Sequence, residues 1–332
     1  MTRTTIIALE GALATSVAIT IDVLAMANRI CDAQNRSMPF DVRLSGSGAR
    51  YFRPFLAFPE AQHACPDLLI IPAQGLSKAD SYARRLAQDD AEAARAEIAD
   101  AAAAGAHVAS SCTGTLLLAS TGLLASRTAT TAWWLAPTFR DMFPEVTLDT
   151  SELVHADGPF TTAGAAMAQM DLTVGLVAQY AGADIADACA RRMVLDERRS
   201  QIPYMAIGLL AASDASVARA AAWARSRLGQ HIPVNDLAAA AGLSPRTFAR
   251  RVSGATGLSP IQFLQQMRLE RAVELIETTN LAFEEIAYQV GYSDQSTLRG
   301  LLRRTLGAGP RELRAKARPA GHRHGRRVLV RA

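Results

Sequence analysis

Within the stretch "AGAHVASSCTGTLLLASTGLL", Ala104 to Leu124, a thiol stands where many enzymes keep a nucleophile. The apolar run His107 to Ser111 ends in small residues at Cys112. A glycine-containing turn follows, then an aliphatic run with helical spacing. Strand, sharp turn and helix with the reactive group at the apex is the plan by which hydrolases expose a nucleophile. A thiol there attacks an acyl carbon only if a histidine base lies within hydrogen-bond reach and a third group orients that base. The nearest histidine in sequence, His107, sits at the far end of the incoming strand, about 16 Å away for an extended chain. His155 would have to be brought round by the fold, and nothing local in the sequence does so. Three uses of the elbow stay open: a catalyst, a redox-sensing thiol, or a concavity that holds a small molecule.

The elements around the elbow alternate. "TTIIALEG" reads as a strand and "ATSVAITIDVLAMANRICDAQ" as a helix. "FDVRLSG" and "DLLIIPA" are further strands, the second continuously apolar and so buried on both faces. "DDAEAARAEIADAAAAG" is a helix that closes at Gly105. After the Cys112 unit come "RTATTAWW" (strand into helix), a hairpin-like pair in "VTLDTSELVHADGPFTTAGA", and helices over 165–180 and 185–196. Alternation of this kind predicts a three-layer α/β sandwich of flavodoxin-like type around a mostly parallel sheet. Beyond the polar stretch "DERRSQIP" nearly every segment reads as helix, so the fold class changes along the chain.

Charge changes at the same place. Hydrophobic residues make up 49% and charged residues 20%, ordinary for a globular chain of 332 residues, and the formal net charge is +4. From Val217 onward there are 19 Lys+Arg against 8 Asp+Glu, a balance of +11, which leaves −7 for the part before it. A basic half joined to an acidic half points to nucleic-acid binding by one and a different task for the other. Cys31, Cys65, Cys112 and Cys189 are scattered, with no Cys-x-x-Cys pair. Free thiols in a reducing cytoplasm are expected, with no metal site and no cofactor. No apolar run approaches the roughly 18–20 residues of a membrane span, and the first residues lack the pattern of a secretory leader.

Two segments of the basic half share one plan. In "VNDLAAAAGLSPRTFARRVSGATG" a helix of small residues reaches Gly242, a short turn follows, and Ser244 caps a second helix. In "FEEIAYQVGYSDQSTLRGLLRRTLG" the plan runs through Gly291, with Ser293 or Asp294 as the cap. Small side chains at the crossing, expected at Ala239 and Ala287, permit the close packing of a helix-turn-helix. Over roughly Ala218 to Arg318 this half resembles the AraC/XylS family of transcription regulators, through "GYSDQSTLRGLLRRTLGAGPREL" and the connecting "MRLERAVELI". The resemblance implies an all-α domain whose two recognition helices enter successive major grooves of operator DNA. By position, Arg246, Ala249 and Arg250 match the base-facing sites of the first recognition helix, and Gln295, Ser296 and Thr297 those of the second. Ser244, Thr247, Arg251, Arg299 and Arg303 complete the expected DNA contacts. The family's usual arginine at Gly300 has moved to Arg299. Arginine can bond guanine bidentately, or it can contact phosphate alone.

The acidic half resembles the PfpI-like branch of the class I glutamine-amidotransferase-like superfamily, in the form fused ahead of AraC-type domains. "ITIDVLAMAN", "SSCTGTLLLASTGLL", "RTATTAWW", "PFTTAGAAMAQMDLTVGLV" and "RRMVLDERRSQIPY" carry the likeness. Helix amides near Cys112 would depress its pKa. Enzymes of the superfamily carry histidine directly after the cysteine, and here Thr113 stands there. Related regulators often have histidine before the tryptophan, and here it is Ala132. The combination implies a regulator, not an enzyme, with a small effector bound by Asp22, Cys112, Thr113, Trp133, Thr162, Ala163 and Gly164. An acidic residue beside tryptophans would suit an amine or amino-acid derivative, unless Trp133 and Trp134 serve core or dimer packing. The expected division is an α/β sensor at 1–185, a helical linker at 186–215, a DNA-binding domain at 216–318 and a basic, disordered tail at 319–332. A homodimer is expected, because paired sites raise affinity and the helix at 14–27 is more apolar than one sheet face requires. RNA polymerase is a further partner if the protein activates.

Overall fold

Ile6 and Ile7 are adjacent on one strand and enter two different cores, and that alternation defines the first half of the molecule. A computed structural model describes residues 1–74, 79–196, 198, 200–201 and 204–317, and the chain divides into two compact units, Met1–Met205 and Ala206–Ala332. In the first unit a six-stranded sheet has the order β2-β1-β3-β4-β8-β7, with β1 Thr2–Ile7, β2 Phe40–Ser45, β3 Leu68–Ile71, β4 His107–Ser111, β7 Val154–Asp157 and β8 Phe160–Ala163. Every pairing is parallel except β7 with β8, the expected hairpin at the edge. A separate short pair joins β5 Thr128–Ala129 to β6 Thr147–Leu148.

Helices cover both faces. On one lie α1 Ala14–Ala33, α7 Ala168–Ala181 and α8 Ala183–Met193, packed with Ile6, Leu68, Ile70 and Ala109; the short α2 Ala49–Phe52 adjoins them through Ala49. On the other lie α3 Ala79–Leu86, α4 Asp89–Ala103, α5 Gly114–Ala119 and α6 Ala136–Met142, packed with Ile7, Leu69, Ile71 and Val108. This is the expected three-layer α/β sandwich, and β3 is buried along its whole length. The 20-residue α1 is long and apolar enough to cross a membrane, yet it forms the core of this unit. Its Val17, Ile21, Leu24 and Ile30 are covered by β2, α7 and α8, which accounts for the apolar surface that suggested a dimer contact.

The second unit is helical throughout its described part: α9 Ile207–Ala211, α10 Ala215–Arg225, α11 Val234–Ala241, α12 Pro245–Thr256, α13 Pro260–Thr278, α14 Phe283–Gln289, α15 Gln295–Leu306 and α16 Pro310–Ala317. The segment 186–215, expected as a linker, is helical at both ends. Ala186 and Cys189 of α8 are buried in the first unit, and Ile207 and Leu210 of α9 in the second. Some of these starts are specified locally. Ser259 and Gln262 form a capping box on α13 with Pro260 at its first position, and Asp214 caps α10 by accepting from Ser216 and Val217. The basic tail at 319–332 lies outside the described residues.

Candidate functional site

Cys112 has φ +52°, a left-handed conformation uncommon outside glycine. The strained turn lets α5 start close above the end of β3. A Cβ on Gly114 would lie 2.4 Å from the Ile71 carbonyl oxygen, so only glycine fits. The bend is held from three sides. Cys112 N donates to Ala163 O at 3.0 Å, Thr131 Oγ1 donates to Cys112 O at 2.6 Å, and Thr113 Oγ1 donates to Gln74 O at 2.5 Å. Four of the expected site residues thus meet at the ends of β4 and β8: Cys112, Thr113, Thr162 and Ala163. Thr162 Oγ1 accepts from Thr130 N at 2.8 Å.

The chemistry of the thiol differs from the expectation. Burial pushes Cys112 up to about 11, and its neighbour Thr113 lowers it only weakly, so the depressed pKa expected from helix amides is not present. Cys112 is 4% exposed in the same core cluster as Tyr82 and Leu116, and α5 spans only six residues, too little helix to offset desolvation. No histidine is bonded to it among the described residues. His107 joins Tyr180 Oη (3.0 Å) and Thr161 Oγ1 (2.8 Å), and His155, on β7 beyond β8, pairs with Glu152 at 2.6 Å. Beside the elbow, Leu9, Gln74, Tyr82, Thr113 and Leu116 enclose a cavity of about 10 Å³, room for one water.

Asp22 is exposed on α1, and no hydrogen bond joins it to the elbow among the described residues. Trp133 is 8% exposed and meets Trp134, 42% exposed, edge-on at 5.5 Å. Gly164 N donates to Leu153 O, and a Cβ on Gly164 would lie 2.2 Å from the carboxamide carbon of Gln201.

Gln201 is the residue that sequence reasoning missed. It is 1% exposed, and its Nε2 lies 3.0–3.3 Å from Thr131 O, Glu152 O, Thr130 Oγ1 and Thr150 O, while its Oε1 has no partner. It falls in the polar run "DERRSQIP", where a buried glutamine leaves no periodic trace.

In the second unit α11 and α12 form one helix-turn-helix, and α14 and α15 another. Gly242 (φ +70°) and Gly291 (φ +85°) make the turns. A Cβ on Gly291 would lie 2.3 Å from Leu228 O. The buried small residues of the first helices are Ala238 and Ala287. Each stands four residues before its turn glycine; Ala239, expected at the crossing, is three before Gly242 and exposed, one position round the helix from the buried face. Ser244 caps α12 and Asp294 caps α15. Arg246, Arg250, Ser296, Thr297, Arg299 and Arg303 are exposed; Thr247 and Gln295 are half-buried. Two of the expected arginine contacts are partly engaged within the chain. Arg251 pairs with Asp214 at 2.9 Å, and Arg299 bonds Gln295 at 3.2 Å and lies over the Phe283 ring.

Paired helix-turn-helix motifs joined by one long helix define the second unit as a nucleic-acid-binding type of domain. A family model described as a helix-turn-helix domain matches residues 237–316. The HTH-type transcriptional regulator CdhR of Pseudomonas aeruginosa is 25% identical over 225 residues, covering 64% of this chain and 67% of that protein. The regulator GbdR of the same species is 24% identical over 213 residues, covering 63% of this chain and 58% of that protein. The chain therefore spans about two thirds or less of these relatives' length. Both matches exceed the second unit and reach into the first. A solved structure, Drosophila melanogaster DJ-1beta, is 14% identical with a TM-score of 0.44, covering 59% of this chain and 99% of that one. The chain thus carries a helix-turn-helix domain over residues 237–316, behind a separate α/β unit.

Proposed function

We propose that the protein is a sequence-specific transcription regulator whose first unit senses a small molecule and does no chemistry. The observation that carries the reading is the elbow itself: its strained geometry is kept, with Cys112 buried, its thiol pushed up to about 11 and no histidine bonded to it among the described residues. A nucleophile needs the opposite environment. The second unit supports the DNA half of the reading, with two capped recognition helices that expose Arg246, Arg250 and Arg303 on a strongly basic segment. CdhR and GbdR are both named as regulators, in keeping with it. In this reading the sensor comes first and the DNA reader second. Pairing on two half-sites rests on DNA geometry alone, now that α1 is accounted for within its own unit.

The test is fluorescence anisotropy of the full chain on promoter DNA across a salt series, with and without compounds selected by thermal shift. Affinity that falls steeply with salt and changes with a selected compound is expected. Salt-insensitive or absent binding refutes the DNA half. Turnover of an amide or ester substrate, lost in Cys112→Ser, refutes the sensor half.

A further inference from the structure

Nitrogen Nε2 of Gln201 is surrounded by more oxygens than it can serve. Thr131 O lies at 3.0 Å, Glu152 O at 3.1 Å, Thr130 Oγ1 at 3.2 Å and Thr150 O at 3.3 Å. A carboxamide nitrogen has two hydrogens and no net charge. Thr130 Oγ1 spends its own proton on Glu152 O, so it faces Gln201 as an acceptor. Four acceptors converge on a group that can satisfy two of them, while the carboxamide oxygen on the other side is buried without a partner. Both ends of the side chain are therefore imperfectly matched to the place it fills. A primary ammonium has three hydrogens and a positive charge, and it suits a ring of carbonyl dipoles better than an amide does.

The place is built to admit a planar group. Gly164 leaves the room, since any Cβ there would strike the Gln201 carboxamide at 2.2–2.4 Å. The cradle adjoins the elbow, because Thr131 also donates to Cys112 O and Thr130 N donates to Thr162 Oγ1. The chain around Gln201 is fastened at the same spot. Ser200 Oγ donates to Ser151 O at 2.7 Å, Gln201 N donates to the same oxygen at 3.2 Å, and Ser200 bridges Glu152. Five residues after Gln201, at Ala206, the second unit begins.

We propose that Gln201 is a tethered stand-in for the effector: a small molecule bearing a primary ammonium displaces its carboxamide from the four-oxygen cradle and thereby frees Ser200 and Gln201. Occupancy of the sensor is then coupled to the segment that leads into the DNA-binding unit. The inference rests on the sensing role of the first unit and names its ligand class and its switch.

The test uses the full chain with n-butylammonium chloride as the probe, and n-butanol and tetramethylammonium chloride as controls lacking the charge or the N–H groups. In Gln201→Ala the cradle is vacant, so n-butylammonium should bind at least about tenfold more tightly than in the wild type, which must first expel its own side chain. Neither control should bind. In the wild type, saturating n-butylammonium should speed amide hydrogen exchange at Ser200 and Gln201. Gly164→Ala should produce that faster exchange without ligand by forcing the carboxamide out, but its Cβ, 2.4 Å from the Nε2 position, fills the cradle, so it should not bind n-butylammonium; Gln201→Ser serves as the second vacant variant if Gln201→Ala melts early by circular dichroism. Equal affinity in wild type and the folded Gln201 variants, no binding to Gln201→Ala or Gln201→Ser, or unchanged exchange overturns the inference. A compound that alters DNA binding equally in wild type and Gln201→Ala upholds the sensing role and overturns the tethered stand-in. Tight n-butylammonium binding to Gln201→Ala, with no compound altering DNA binding, upholds the cradle and overturns the sensing role.

Discussion

Phe248 of α12 and Leu298 of α15 occupy one and the same position, each the fourth residue after its helix's N-cap and each wholly buried. The equivalence continues along both helices. Val252 and Leu302 are buried one turn later, and Gly257 and Gly307 end the helices in left-handed conformations. Aligned on the caps Ser244 and Asp294, Arg246 corresponds to Ser296, Ala249 to Arg299 and Arg250 to Gly300. Gln295 and Thr297 correspond to Pro245 and Thr247. The first helix thus presents arginine at two of these three sites, and the second at one, where Gln295 and Phe283 also hold the guanidinium. Discrimination between bases should come mainly from α12.

Arg250→Ala should cost about 1–3 kcal/mol on the native operator and little on random DNA, as for the loss of one base-reading arginine. Arg251→Ala should weaken binding far less selectively, because Arg251 is held by Asp214 beside the cap of α10. Anisotropy titrations on both DNAs decide it. Equal losses from Arg250→Ala on both would make that residue a phosphate contact.

Glycines in the second unit should split by environment. Gly254 is an exposed position within α12 with open space around it, so Gly254→Ala should stabilise by about 0.5–1 kcal/mol. Gly291→Ala should destabilise by about 1–3 kcal/mol, since φ is +85° and a Cβ would meet Leu228 O at 2.3 Å. Urea unfolding of the two variants should move the midpoint in opposite directions.

The parts legible in the sequence were those with a period or a punctuating residue. The buried β3, the hairpin of β7 and β8 and both turn glycines follow from apolar runs and from positions that need positive φ. Burial on both sheet faces made "LLII" continuous, and amphipathic packing gave the helices of the second unit their spacing. The elbow was visible as a motif, but the state of its thiol was not, because the burial that desolvates it comes from a core assembled from distant parts of the chain. Gln201 was invisible for a related reason. A polar residue in a polar run carries no sign that tertiary contacts will bury it against Gly164 and the carbonyls of Thr131 and Glu152.

Thiol accessibility should follow burial. Cys65 is exposed, whereas Cys31, Cys112 and Cys189 are buried. The native protein should therefore release about one equivalent of thionitrobenzoate quickly from Ellman's reagent and the rest only on unfolding. A Cys65→Ser variant should lose the fast phase. If the fast phase instead disappears in Cys112→Ser, the elbow opens readily and a redox role regains its ground.

The alkaline limb of stability should report the Cys112 environment directly. Burial raises this thiol from its ordinary 9.0 to about 11 in the folded chain, and Cys189 is likewise pushed up to about 11 by burial. Between those values the unfolded chain has released thiol protons that the folded chain retains. The unfolded state then binds fewer protons, so stability must fall as pH rises. The contribution is fully present below about pH 9 and is lost as pH climbs towards 11, and for Cys112 it amounts to roughly 3 kcal/mol at most. Cys112→Ser removes the titrating proton while keeping a group of similar size, so its denaturation midpoint should decline less steeply than the wild type's between pH 9 and 11. A Cys112→Ser curve that parallels the wild type would mean that the thiol ionises in the folded chain as freely as in the unfolded one. A thiolate would then be available at the elbow, and the sensing role would have to be argued against a catalytic one again.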